Sequence, residues 1–357
     1  MKKNNSIIIP THPAVIFASI VIIIAGLMSA VSIVNAVLMG LFISVVCAQP
    51  IAWLQSKKVP QTLALVVVLI GITVIFIFFI EVIGSSLSSF SNNVNVYEEN
   101  LRKMGDVIFT RLESKGFTPS LSKISDVIDV SKAMNITANL LRSLGGFMGN
   151  ALTIFFLTVF LLLELDSIAI KSKVVNSNSK KSHSYFTTII GNIRHYLTIK
   201  TITSLFTGIL VWIPLTIIDI DYAIIWALIA FLLNYIPNFG SIIAAIPAIL
   251  FALIQQGFEG AIWTGLIFIV VNMVIGNIVE PKMMGRGLGL STYVVFVSLL
   301  FWGFILGTVG MFLSVPLTMA IKIMLEQNPR TKWIAVYLGT EEEATALLKN
   351  SDESENE

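Results

Sequence analysis

Charge is what this sequence has least of. Asp, Glu, Lys and Arg make up 12% of its 357 residues, about half the roughly 25% usual in a soluble domain. The mean hydropathy is +0.87, and 55% of the residues are hydrophobic. Together these exclude an ordinary soluble globular domain and place the chain in the membrane class, with the lipid bilayer as its surroundings. A net charge of +2 excludes the strongly basic surface that holds nucleic acid, so no such partner is expected. Cysteine is nearly absent. The lone Cys47, inside an apolar run, can form neither an intramolecular disulfide nor a zinc cluster, and it reads as a small packed apolar residue. Histidine is scarce too: His12, His183 and His195 lie far apart and show no ligand spacing. There is no phosphate-loop motif and no nucleophile–base or metal constellation. The expectation is a non-enzymatic membrane protein without cofactor or metal.

What the chain does have is apolar runs. Leu63–Ile80 carries no charged residue over a length that crosses a bilayer, given about 20 residues per spanning helix. Further candidates are Ala14–Val34, Val37–Ile51, Phe147–Leu163, Thr201–Ile218, Tyr222–Ile236, Ser241–Ile254, Ala261–Val279, Leu288–Leu306 and Gly307–Leu325. Val37–Ile51, Tyr222–Ile236 and Ser241–Ile254 fall short of a full span, which suits half-helices or re-entrant segments. The fold class expected is all-α: a polytopic helical membrane protein with about eight to ten inserted segments, some interrupted. Lys2 and Lys3 ahead of Ala14–Val34 imitate a signal peptide. That run is too long for one and another follows at once, so it reads as a retained first span.

Lysine and arginine set the orientation. With the N-terminus inside and every segment crossing, the inside loops hold Lys57, Lys58, Lys171, Lys173, Lys180, Lys181, Arg194, Lys200, Lys282 and Arg286. The short outside turns at Asp219–Asp221 and Gln255–Gly260 have no lysine or arginine. Both termini are therefore expected in the cytoplasm. The chain divides into N-terminal spans (1–83), an external amphipathic helical loop (84–145), a fourth span (146–165) and a cytoplasmic linker and helix (166–200). The C-terminal spans (201–326) carry two helix breaks, and a cytoplasmic tail (327–357) ends in the acidic Ser351–Glu357. In the external loop Leu101, Met104, Ile108 and Leu112 share one helical face, and a second helical pattern runs from Ser131 to Leu144. Packing of these stripes on the protein's own outer surface or on a neighbouring subunit is favoured over lying on lipid.

The two breaks are the candidate site. Backbone freed by a broken helix cannot face lipid, so at membrane depth it must line a cavity or be buried in protein. In Asn234–Gly240, Pro237 removes a donor and bends the chain, Gly240 permits a reversal, and Asn234 and Asn238 offer donors and acceptors. An ordinary cytoplasmic turn is the competing reading. The second break, Glu280–Gly289, follows a span with Asn272 and Asn277, amides that either bridge helices or line a path. Glu280-Pro281 and Arg286-Gly287 flank a turn in which Glu280 and Arg286 can pair across a loop or take part in transport. The Gly285–Gly289 glycines lack the strand-turn-helix context of a phosphate cradle. Gly303-x-x-x-Gly307 and Gly145-x-x-x-Gly149 read as small-residue faces for helix packing.

These motifs carry a family likeness. Asn234-Tyr235-Ile236-Pro237-Asn238-Phe239-Gly240, Glu280-Pro281, Met284-Gly285-Arg286-Gly287-Leu288-Gly289-Leu290-Ser291, Phe301-Trp302-Gly303 and Ser314-Val315-Pro316-Leu317 resemble those of the autoinducer-2 exporter family. The resemblance is strongest from Tyr196 to Gln327. It implies a multi-pass bacterial inner-membrane protein, a homo-oligomer (a pentamer in known members), and export of the furanone-type signal autoinducer-2. Some relatives are described as sodium/proton antiporters. Two other functions stay open on the residues: a monovalent cation/proton antiporter, for which only Glu280 supplies a carboxylate, and a structural membrane scaffold, which leaves both breaks unexplained.

Overall fold

A chain this apolar must satisfy its backbone internally, and the helix does so within one segment. The structure, a computed structural model, describes residues 13–114, 150–164, 180–237, 239–284 and 289–346, together with 167, 171 and 348. Among them no strand occurs. The helices are α1 (Pro13–Ser29), α2 (Val31–Ser56), α3 (Gln61–Glu113), α4 (Asn150–Glu164), α5 (Lys180–Ile217) and α6 (Ala223–Leu233). Then come α7 (Gly240–Val274), a π-helical turn (Ile275–Val279), α8 (Glu280–Met284), α9 (Thr292–Glu326) and α10 (Lys332–Leu338).

Five stretches are long and apolar enough to cross a membrane: Val31–Ser56, Gln61–Asn93, Gly191–Ile217, Gly240–Met284 and Thr292–Glu326. Phe17–Ser29, Asn150–Glu164 and Ala223–Leu233 are shorter apolar helices. Two of the five long stretches fold back on themselves. Gly257 (φ 76°, ψ −156°) interrupts α7, and Gly307 (φ 66°, ψ −145°) interrupts α9. Trp302 Nε1 donates to Thr318 Oγ1 at 3.0 Å, although the two are 16 residues apart. A straight helix would separate them by about 24 Å, so α9 is a hairpin. In α7 a Cβ on Gly265 would touch Ile249 Cδ1 at 3.6 Å, the same closure across Gly257. The described residues thus hold ten apolar arms. The expected divisions near Gln255–Gly260 and at Gly307 coincide with these turns.

The reading of Gly303-x-x-x-Gly307 as a helix-packing face changes here. A Cβ on Gly303 would stand 2.8 Å from Met311 Cγ, and Gly307 is the turn itself, so the pair is the seam of one hairpin. Gly145 and Gly149 lie outside the described residues. The hairpin tip meets α2, where Asn35 Nδ2 donates to the Leu306 carbonyl at 3.0 Å.

The apolar side chains of α3 face outward: Ile70, Val74, Ile77 and Phe78 are each more than half exposed. Water would penalise so large an apolar surface, and a bilayer or a neighbouring chain would not. α3 also runs on unbroken past Gly84 to Glu113, so the first helical stretch expected in the loop continues the span. At about 80 Å it outreaches any bilayer. Its far half is fastened to the α6–α7 end. Phe90 and Tyr97 pack with Tyr222, Trp226 and Phe251 in one buried cluster. The Tyr97 hydroxyl donates to Asp221 Oδ2 at 2.9 Å, and burial, then the bonds to Tyr222 and Asp221, holds it well above the usual phenol range. Gln255 and Gln256 close the same end by donating to the Asp219 and Ile218 carbonyls. The side chains of Leu101, Met104, Ile108 and Leu112, and the whole Ser131–Leu144 stretch, lie outside the described residues.

Candidate functional site

A stripe of buried polar groups runs along α5. Tyr196, Lys200, Thr203, Ser204 and Thr207 recur at helical spacing, and all are buried. The threonines back-bond to their own helix: Thr203 Oγ1 to the Lys200 carbonyl at 3.2 Å, and Thr207 Oγ1 to the Thr203 carbonyl at 2.9 Å. The remaining polar groups of this face turn toward the two helix breaks.

The first break docks through its amide. Asn234 Nδ2 donates to Ser204 Oγ at 3.1 Å, and Ser241 Oγ donates to Asn234 Oδ1 at 3.3 Å. Tyr235 donates its hydroxyl to Thr201 Oγ1 at 2.8 Å, while its ring stacks on Phe312. Gly240 is the one residue that fits its place. A Cβ there would stand 1.7 Å from the Leu233 carbonyl oxygen, an overlap no side chain tolerates. Pro237 is half-buried in the turn, and Asn238 lies outside the described residues.

The second break docks through charge. Glu280 begins α8 where the π turn ends, and its Oε1 lies 2.6 Å from Lys200 Nζ. The Lys200 side chain is 4% exposed and that of Glu280 16%. Both breaks therefore attach within residues 200–204 of α5, about 6 Å along the helix axis. Asn272 is half-buried with its Oδ1 over Gly276. Asn277 and Pro281 are exposed. Arg286 and Gly287 lie outside the described residues, so the partner found for Glu280 is Lys200.

The end of the second break is strapped to the tail. Lys322 Nζ donates to the Gly289 carbonyl at 2.5 Å and to Glu343 Oε2 at 2.5 Å, with Glu326 Oε1 at 3.4 Å. The Ser291 N–H donates to the Leu338 carbonyl at 3.1 Å, and Ser291 Oγ caps α9 by accepting from the Val294 N–H at 3.3 Å.

Lys200, Thr201, Ser204 and Tyr196 are the functional candidates that reasoning from sequence missed. Lys200 counts there as the last cation of a cytoplasmic loop. In the structure α5 begins at Lys180, so Lys200 lies inside a continuous helix, under the α8 break. The available signal was the four-residue spacing of Tyr196, Lys200 and Ser204. Chemically the site can hold polar groups by hydrogen bonds. Among the described residues no cluster of three or more His, Cys, Asp or Glu could hold a metal ion.

Comparison with known proteins places the chain in a family. The family model described as "AI-2E family transporter" matches residues 17–330. A Haemophilus influenzae protein named "Putative transport protein" is 41% identical over 332 residues, covering 91% of this chain and 95% of its own. The Escherichia coli "AI-2 transport protein TqsA" is 35% identical over 324 residues, covering 91% and 94%. Both relatives are named as transport proteins, the first of them as a "Putative" one. This chain, a multi-pass bacterial membrane protein, belongs to the AI-2E transporter family.

Proposed function

We propose that the protein exports autoinducer-2 from the cytoplasm through the bacterial inner membrane, as a homo-oligomer with both termini and residues 171–190 cytoplasmic and residues 84–145 external, the cytoplasmic stretch ending where the span Gly191–Ile217 begins. The observation that carries this reading is the convergence of both helix breaks on one turn of α5. Interrupted helices meeting within the membrane are how secondary transporters build a solute site. The groups brought there are a neutral amide, hydroxyls and a charge pair with no net charge, which suit a hydroxyl-rich solute better than a bare ion. The name of the E. coli relative supplies the particular solute. Pro237, Asn238, Gly240, Asn272, Asn277, Pro281, Arg286 and Gly287 stay part of the proposed pathway with Asn234 and Glu280.

One observation favours a second reading, a sodium or lithium/proton antiporter: Glu280 is a largely buried carboxylate in a membrane helix. Its bond to Lys200 sets a positive charge where a cation would bind, so export of a neutral solute stands first. The test is deletion and overproduction in cells, with internal and external signal measured together. Deletion should raise the inside-to-outside ratio and overproduction should lower it. An unchanged ratio with reduced sodium or lithium tolerance would replace the exporter by the antiporter.

A further inference from the structure

Three buried side-chain atoms lack a hydrogen-bond partner among the described residues: Asn35 Oδ1, Thr264 Oγ1 and the Tyr196 hydroxyl. Asn35 already spends its amide nitrogen on the Leu306 carbonyl, and Thr264 lies on the apolar second arm of α7. Tyr196 differs in its neighbours. It sits one helical turn before Lys200 on the same face of α5, within electrostatic reach of Glu280. Its residue is 2% exposed. A buried hydroxyl that bonds nothing costs free energy, and such groups in native proteins call for an explanation.

We infer that Tyr196, Lys200 and Glu280 form a subsite that binds the hydroxyl groups of an uncharged, diol-bearing solute. The inference rests on the transporter reading above and names the groups that hold its cargo. An ammonium has three donors, and Lys200 directs one of them at Glu280 Oε1. An ionised carboxylate has about four acceptor positions, so Glu280 keeps acceptor capacity beyond Lys200. Tyr196 can donate or accept. A solute hydroxyl does both, so one hydroxyl can accept from Lys200 or Tyr196 and donate to Glu280. A neighbouring hydroxyl can use what remains. The pair's zero net charge selects against ions: a cation would meet Lys200 and an anion would meet Glu280 in surroundings where charge is poorly screened.

The geometry also says how such a solute would enter. Tyr196 and Lys200 are enclosed, and Glu280 is the more open member of the group. Glu280 lies where the π turn gives way to α8, and π segments mark places where helices accommodate function. Drawing α8 away from α5 would expose all three groups together. The strap of Lys322, Glu343 and Leu338 on residues 289–291 is the contact set that must follow or yield.

Purified protein in liposomes tests this, with initial rates of autoinducer-2 transport measured against its concentration. Tyr196→Phe removes a hydroxyl that has no hydrogen-bond partner among the described residues, so folding should be unaffected. It should raise the half-saturating concentration about two- to tenfold, the worth of one neutral hydrogen bond. It should also lose the wild-type preference for autoinducer-2 over an analogue lacking one hydroxyl. The paired substitution of Lys200→Met with Glu280→Met leaves no unpaired charge and should raise half-saturation about tenfold to a hundredfold. Wild-type half-saturation and unchanged discrimination in Tyr196→Phe would overturn the subsite while leaving the export reading standing. If the wild type moves no autoinducer-2, the export reading falls. The subsite is then decided by thermal shift with ribitol, a neutral polyol: stabilisation lost in Tyr196→Phe supports it, and no stabilisation of the wild type refutes it.

Discussion

Replacing one member of the Lys200–Glu280 pair should be far more damaging than replacing both. An exposed ion pair is worth about 0–1 kcal/mol, but exposures of 4% and 16% put this pair in the buried class. There, removing one partner strands the other charge and costs about 3–5 kcal/mol, whereas exchanging both for apolar groups of similar size is often neutral. The two singles should also differ from each other. Glu280→Met strands Lys200, the more enclosed group, and belongs near the upper end of that range. Lys200→Met strands Glu280, which keeps some contact with solvent and belongs near the lower end. The double substitution to Met should lie within about 1–2 kcal/mol of the wild type, close to the neutral exchange expected when no charge is stranded. Unfolding of the purified protein in mixed micelles with increasing dodecyl sulfate, followed by tryptophan fluorescence, measures all four species. Their double-mutant cycle yields the coupling directly. If the singles add to the double, the two charges do not depend on one another and the buried-pair argument fails.

Two other perturbations address the turns and the orientation. Gly240→Ala and Gly310→Ala would place a Cβ 1.7 Å from the Leu233 oxygen and 1.9 Å from the Trp302 oxygen. Both should sharply cut the yield of monodisperse protein, while Gly71→Ala, with nothing within 4 Å of the added carbon, should match the wild type or gain about 0.5–1 kcal/mol; equal yields from all three would mean the hairpin turns are not as tight as described. In a Cys47→Ala background, a cysteine at Ser114 should react with an impermeant reagent in intact cells and one at Ser177 should not, and the opposite pattern would invert the proposed orientation.

Much of the fold was legible because membrane helices announce themselves by what they exclude. Charge-free runs marked the arms, and glycine with a drop in apolar character marked the reversals near Gly257 and Gly307. Both glycines take positive φ, which side-chain-bearing residues rarely adopt. The continuation of α3 was not legible. Gly84-Ser85-Ser86 lowers the hydropathy and looks like the end of a helix. A change from apolar to polar side chains alters the medium a helix suits, though, and not its backbone hydrogen bonds. The 3.6-residue spacing of the apolar positions up to Leu112 was compatible with one uninterrupted helix.

The site was half legible for a different reason. Proline, glycine and asparagine identify a break locally, so Asn234–Gly240 and Glu280 could be singled out without knowing what they touch. What the breaks touch is a long-range matter. Lys200 and Glu280 stand eighty positions apart, and no periodicity relates them. A lysine at the head of an apolar run has two physical outcomes: its long stem lets the charge reach the interface, or the charge is buried against a partner. Hydropathy alone favours the first and assigns Lys200 to a loop. The face it shares points the other way. Tyr196 and Ser204 stand one turn before and after it, with Thr203 and Thr207 alongside, and a lysine that only reaches for the interface has no need of a polar stripe continuing inward along its helix. Such a stripe within an apolar helix marks a face turned toward protein rather than lipid. Two helix breaks needing polar partners then leave α5 as the surface on which they close.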